Sequence, residues 1–146
     1  MKFIYSIFFI LLFSLSCSNE SITPLDKNIA LNKEFTATLS EKVTYEENDL
    51  SFHIYEINDS RCPTDAFCTW QGGARVCIEV FVQVQIIDSL NFSLGSNSNG
   101  SIVTADTVNF NYKSASYAAI LFDVMPYPTI SNATEPKSIK MKIISK

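Results

Sequence analysis

The side chains best suited to metal ligation or nucleophilic attack are few in this chain of 146 residues: one histidine, His53, and four cysteines, Cys17, Cys62, Cys68 and Cys77. Two of the cysteines and the single tryptophan, Trp70, fall in Asp59–Gly73, "DSRCPTDAFCTWQGG". His53 with Cys62, Cys68 and Cys77 makes a four-ligand set on paper. The spacing lacks the tight C-x₂₋₄-C pair of structural zinc sites, and an oxidising compartment works against thiolate ligation. Thiol redox chemistry needs C-x-x-C at a helix N-terminus, whereas five residues separate Cys62 from Cys68. With one histidine, a hydrolytic triad would have to use His53, and no G-x-S-x-G elbow is present. Glu46, Glu47 and Asp49 lack EF-hand spacing and read as a solvated turn. No catalytic residue, cofactor or metal is therefore assigned.

A disulfide is the better use of the pair. Closing the seven-residue Cys62–Cys68 loop removes about 2.4 kcal/mol of unfolded-chain entropy, before strain. Three thiols allow three pairings, and Cys68–Cys77 across the Gly72–Gly73 bend, or Cys62–Cys77, stays open alongside the favoured Cys62–Cys68. Asp65, Phe67 and Trp70 are the candidate contact residues on this loop. For Trp70 the structural role, packing against the disulfide, is the expected one. Their exposure decides between scaffold and contact.

The elements that must carry this loop show a period of two. In "ARVCIEVFVQVQI" Ala74, Val76, Ile78, Val80, Val82, Val84 and Ile86 share one face, opposite Arg75, Cys77, Glu79, Phe81, Gln83 and Gln85. That predicts one long strand, with Cys77 on the wetter side. "KSIKMKI" near the C-terminus alternates likewise, as do "EFTATL" (Phe35, Ala37, Leu39), "KVTY", "LSFHIYEI", "NFSL", "TVNFNY" and "YAAILFDV". The last should run to about Met125 before Pro126 and Pro128 turn it out of the sheet. Asn-, Asp-, Ser- and Gly-rich breaks separate the runs, and no amphipathic helical period is sustained. The expectation is an all-β fold, an antiparallel β-sandwich of immunoglobulin-like or related type, with about seven or eight strands.

The N-terminus reads differently. "MKFIYSIFFILLFSLSC" has a lysine, a short apolar run and then small residues, the pattern of a secretory signal and too short to span a bilayer. "FSLSC" resembles a bacterial lipoprotein processing site, although Ser14 stands where leucine is favoured. That resemblance implies a signal peptide over 1–16 and lipidation of Cys17; the polar stretch with Pro24 that follows reads as a tether, so 17–32 is the lipidated cysteine and tether and 33–146 the sandwich. By resemblance to lipoprotein sorting rules, Ser18 rather than aspartate after Cys17 implies the outer membrane, on its periplasmic or surface face. The membrane, through the anchor at Cys17, is the expected partner, together with a protein or glycan. Fifteen acidic residues stand against 11 basic ones without a basic patch, which argues against nucleic acid. The tripeptides at Asp88–Leu90 and Asp106–Val108 resemble O-glycosylation sites of some bacterial envelope proteins.

Taken together, "DSRCPTDAFCTWQGGARVCIEV" and "YAAILFDVMPYP" resemble a family of small bacterial secreted proteins and lipoproteins. Its pattern is D-S-R-C-P, then C-x-W-x-G, then Y-x-x-x-L-x-x-V-x-P-x-P. The likeness runs from about Leu31 to Ile144 and implies a small β-sandwich with no activity attached. Gln71 and Cys77 depart from the pattern. The resulting expectation is an envelope lipoprotein with a non-catalytic binding or structural domain. The alternative is an inhibitor of a secreted hydrolase acting through the Cys62–Cys68 loop.

Overall fold

The computed structural model describes residues 26–45, 49–97 and 99–146. The segment expected to be a signal peptide, Cys17, Ser18–Leu25 and most of the Glu46–Asp49 run lie outside the described residues. Among the described residues, ten strands form two sheets. Sheet A has the order β1-β3-β4-β5-β6-β7, with β1 Asp26–Ile29, β3 Lys42–Tyr45, β4 Leu50–Asp59, β5 Gly73–Val82, β6 Gln85–Ser96 and β7 Ile102–Val103. Sheet B has the order β2-β10-β9-β8, with β2 Glu34–Thr38, β8 Asp106–Tyr112, β9 Ala115–Met125 and β10 Ser138–Ser145. The all-β sandwich is as the alternation predicts, with more strands than expected.

Period two sets the core directly. Ala74, Val76, Ile78 and Val80 of β5 face inward and are buried, as are Ile139, Met141 and Ile143 of β10. Phe52 of β4 meets Phe110 of β8 edge to face across the sheets at 5.9 Å, and Phe110 stacks on Tyr117 at 5.2 Å. Aromatic pairs of this kind add to the area they bury.

Three expectations are corrected. The single strand through Ile86 is a hairpin. Its pairing of Val82 with Gln85 leaves Gln83 and Val84 as the turn, with Gln83 at φ 56°, and Val84 and Ile86 lie exposed. Thirteen residues in one strand would reach about 43 Å, longer than sandwich strands usually run. The tether does not extend to Asn32, because Asp26–Ile29 pairs in parallel with Lys42–Tyr45 and buries Ile29. Leu39 is half-exposed, since β2 stops at Thr38, where the Glu41 carboxylate accepts from Thr38 N at 2.7 Å.

These pairings also fix the ends of the molecule. The Tyr45–Leu50 pair that ends β3 and begins β4 and the β5–β6 hairpin share one end of sheet A. The β4–β5 connection, which is the cysteine stretch, stands at the other, beside the end of β9.

Candidate functional site

The β4–β5 hairpin continues beyond its strands for two further steps. Ser60 N donates to Gly73 O at 2.9 Å and Cys62 N to Gln71 O at 2.8 Å. The Cys62–Cys68 disulfide then closes the tip, with Cα atoms 5.9 Å apart. Inside it, Ala66 N turns back to Pro63 O at 3.2 Å. The glycines of the exit bend are required by close approach: a Cβ on Gly72, at φ +66°, would lie 1.9 Å from Ser60 O.

A second set of bonds ties the tip to the β9–β10 connection. Thr64 N donates to Pro128 O at 3.0 Å, and Ile130 N to Asp65 Oδ1 at 2.9 Å. Beneath them, Arg61 grips Asp59 with two bonds of 2.8 Å, from Nε to Oδ1 and from Nη2 to Oδ2. It also reaches Asp123 Oδ1 at 3.2 Å and the Val124 carbonyl, and lies 4.2 Å over the Tyr127 ring. The Arg61 and Asp59 side chains are only 7% and 1% exposed. Burial opposes the Arg61 charge, but the hydrogen bonds and attraction of Asp59, then Asp123, outweigh it and raise its pKa above the ordinary arginine value. Lys137 closes the cluster, 3.7 Å from Asp59 and donating to Pro126 O at 2.7 Å. The loop is thus held by a disulfide, a buried ion pair and two bonds to the β9–β10 connection.

What this frame presents is apolar. Phe67 is as exposed as an isolated side chain (109%), and Trp70 is 58% exposed. Ile130 and Tyr127 of the neighbouring segment are exposed as well. Trp70 is therefore not the buried plug expected of it, because the hairpin carries it past the rim of the sandwich. Asp65 is exposed on the tip, with one oxygen engaged by Ile130. A hollow of about 320 Å³ lies between the loop and Tyr127, lined by Pro63, Thr64, Phe67 and Gln71.

The remaining chemistry-bearing residues do not converge on this site. His53 Nδ1 stands 3.4 Å from Glu79 Oε2 and edge-on to Phe81, partway down sheet A toward the far end. Among the described residues, no three His, Cys, Asp or Glu side chains gather as a metal site would need. Cys77 is a buried free thiol on the outward face of β5, donating to Asn91 Oδ1 at 3.1 Å. Burial raises its pKa, and the charge of Glu56 adds to the rise against a hydrogen bond to Tyr55.

Arg61, Asp59 and Asp123 are the residues that sequence reading passed over. The signal was the unexplained D-S-R ahead of the first cysteine, but the partner it needs is 62 positions downstream. No family model, curated protein or solved structure matches the chain. Among the described residues, no helix is long and apolar enough to cross a membrane.

Proposed function

We propose that the chain is a lipid-anchored protein of the bacterial envelope whose sandwich is a non-catalytic binding domain, with the Cys62–Cys68 connection as its contact surface. The observation that supports this reading is Phe67: a fully exposed aromatic side chain on a backbone fixed at several points. Burying a phenylalanine is worth roughly 1.5–3 kcal/mol. An exposed one on a rigid mount is an anchor available to a partner, with little loop entropy left to lose on binding. Trp70, also exposed, is of the type that dominates interface energetics. A protein or glycan surface suits this pair, and anchoring through Cys17 would hold the domain at the outer membrane.

The second reading is an inhibitor of a secreted hydrolase. It is favoured by the exposure of Asp65 and Phe67 on a disulfide-closed turn, side chains available to enter a partner's cleft. Two measurements test these readings. Palmitate should label the wild-type protein and not Cys17→Ser, and absence of label in the wild type refutes the anchor. Against secreted peptidases and glycosidases, the purified protein should inhibit one of them with a Phe67-dependent constant if the second reading holds. Failure to inhibit any of them leaves the binding domain alone.

A further inference from the structure

Away from the stapled loop, the sandwich opens on one side, between the edge strands β1 and β2. The opening is a cleft of about 490 Å³. Its floor holds Ile29 and Phe35, and its rim holds Lys27, Lys33, Glu34 and Lys140. Three ammonium groups against one carboxylate give the rim a net charge opposite to that of the chain, which carries −4. Lys27 Nζ donates to Thr36 O at 2.6 Å, bridging the two sheet edges, and keeps two donors for another partner. Lys140 pairs with Glu34 at 2.7 Å, both about half-exposed. Lys33 is exposed and makes no ion pair among the described residues.

The position of the cleft identifies its occupant. Lys27 follows directly on Asp26, where the described chain begins. Eight residues separate Cys17 from Asp26, and they reach about 30 Å at full extension. A chain anchored at Cys17 therefore keeps this cleft close to the lipid headgroups, on a span no longer than a bilayer core is thick.

The geometry points to an anionic phospholipid of the anchoring leaflet as the ligand of the β1–β2 cleft. Its phosphate lies among Lys27, Lys33 and Lys140, and its glycerol and first acyl carbons lie on Ile29 and Phe35. The cleft thereby orients the domain on the membrane while the stapled loop stays available to its own partner. This placement rests on the lipid anchor proposed above, whereas the chemistry of the cleft does not.

The test is lysine reactivity, read by acetylation and mass spectrometry on the full chain isolated from its membrane. The chain is reconstituted in vesicles of phosphatidylcholine alone, or of phosphatidylcholine with phosphatidylglycerol. Labelling of Lys33 and Lys140 should slow about fivefold in the anionic vesicles, the equivalent of about 1 kcal/mol per lysine. Lys113, at the far edge of sheet B on the β8–β9 turn, should not change. Lys33→Gln should weaken protection of Lys140, and high salt should abolish it. Equal rates in the two vesicles, or equal slowing at Lys113, overturn the proposal. A second arm uses monomeric dihexanoyl phosphatidylglycerol in solution, which needs no anchor, against glycerol 3-phosphate. Protection by the short-chain lipid at concentrations where glycerol 3-phosphate gives none is expected, and equal protection by both makes the cleft a free-anion site and removes the lipid. Should palmitate fail to label Cys17 while short-chain lipid still protects Lys33, the anchor falls and the cleft stands.

Discussion

Replacing Arg61 by glutamine removes the centre of the frame beneath the loop. The side chain makes two bonds to Asp59, one to Asp123 and one to the Val124 carbonyl, and both partners of the main pair are almost wholly buried. Without it the Asp59 carboxylate keeps the backbone N–H of residue 61, at 3.3 Å, and Lys137, at 3.7 Å and beyond hydrogen-bond length. Breaking a buried pair from one side costs about 3–5 kcal/mol, because the remaining charge stays out of water. That is a large share of the roughly 5–15 kcal/mol by which domains are stable. At about 4 °C per kcal/mol for a domain of this size, Arg61→Gln should melt about 12–20 °C below wild type. Urea denaturation followed by far-ultraviolet circular dichroism measures the same loss as a lower midpoint. Asp59→Asn combined with Arg61→Gln should recover part of it, since the almost wholly buried Asp59 carboxylate is no longer left without its guanidinium. A loss under about 1 kcal/mol for the single variant would mean that the pair is solvated like a surface bridge, and the account of a rigid mount would fail.

Further outcomes follow from the same frame. Cys62→Ser with Cys68→Ser should lower stability by about 2.4 kcal/mol or less while the sandwich stays folded, as near-unchanged circular dichroism would show. Gly72→Ala sets a methyl 1.9 Å from Ser60 O at a positive φ, so a loss above about 4 kcal/mol or failure to accumulate is expected. Cys77 holds its proton more tightly folded than unfolded, where a thiol ionises near 8.5. Its contribution to stability is therefore complete below about pH 8.5 and lost as pH rises through the higher folded value. Iodoacetamide at pH 8 should modify Cys77 only after denaturation, and Cys77→Ala should flatten the alkaline fall of the urea midpoint.

Periodicity carried most of the architecture, since inward and outward parity on β5 and β10 is a direct consequence of the pleat. It did not reveal the turn at Gln83–Val84, because neither residue is a turn former and alternation continues unbroken through a two-residue loop. It did not reveal β1 either: "DKNI" has a single apolar residue, and its pairing with β3 is tertiary. The Cys62–Cys68 disulfide is the favoured one of three pairings that the sequence leaves open, and only the fold, which sets Cys77 apart as a free thiol, selects it. The exposure of Trp70 was not, because residue type favours burial while the two extra hairpin steps carry the side chain beyond the core. Arg61 stayed silent for a different reason. Its meaning lies in Asp123, Val124 and Tyr127, which only the folded arrangement of β9 brings to it.

The central claim, that the stapled loop is a contact surface, is tested most directly by site-specific photo-crosslinking in intact cells. A photoreactive phenylalanine analogue is placed at position 67, at position 70 or, as a control, at position 113. The account predicts a discrete adduct of the same mass from positions 67 and 70, absent at 113 and lost when Cys62 and Cys68 are both replaced by serine. No adduct from 67 and 70, or the same adduct from 113, would contradict it.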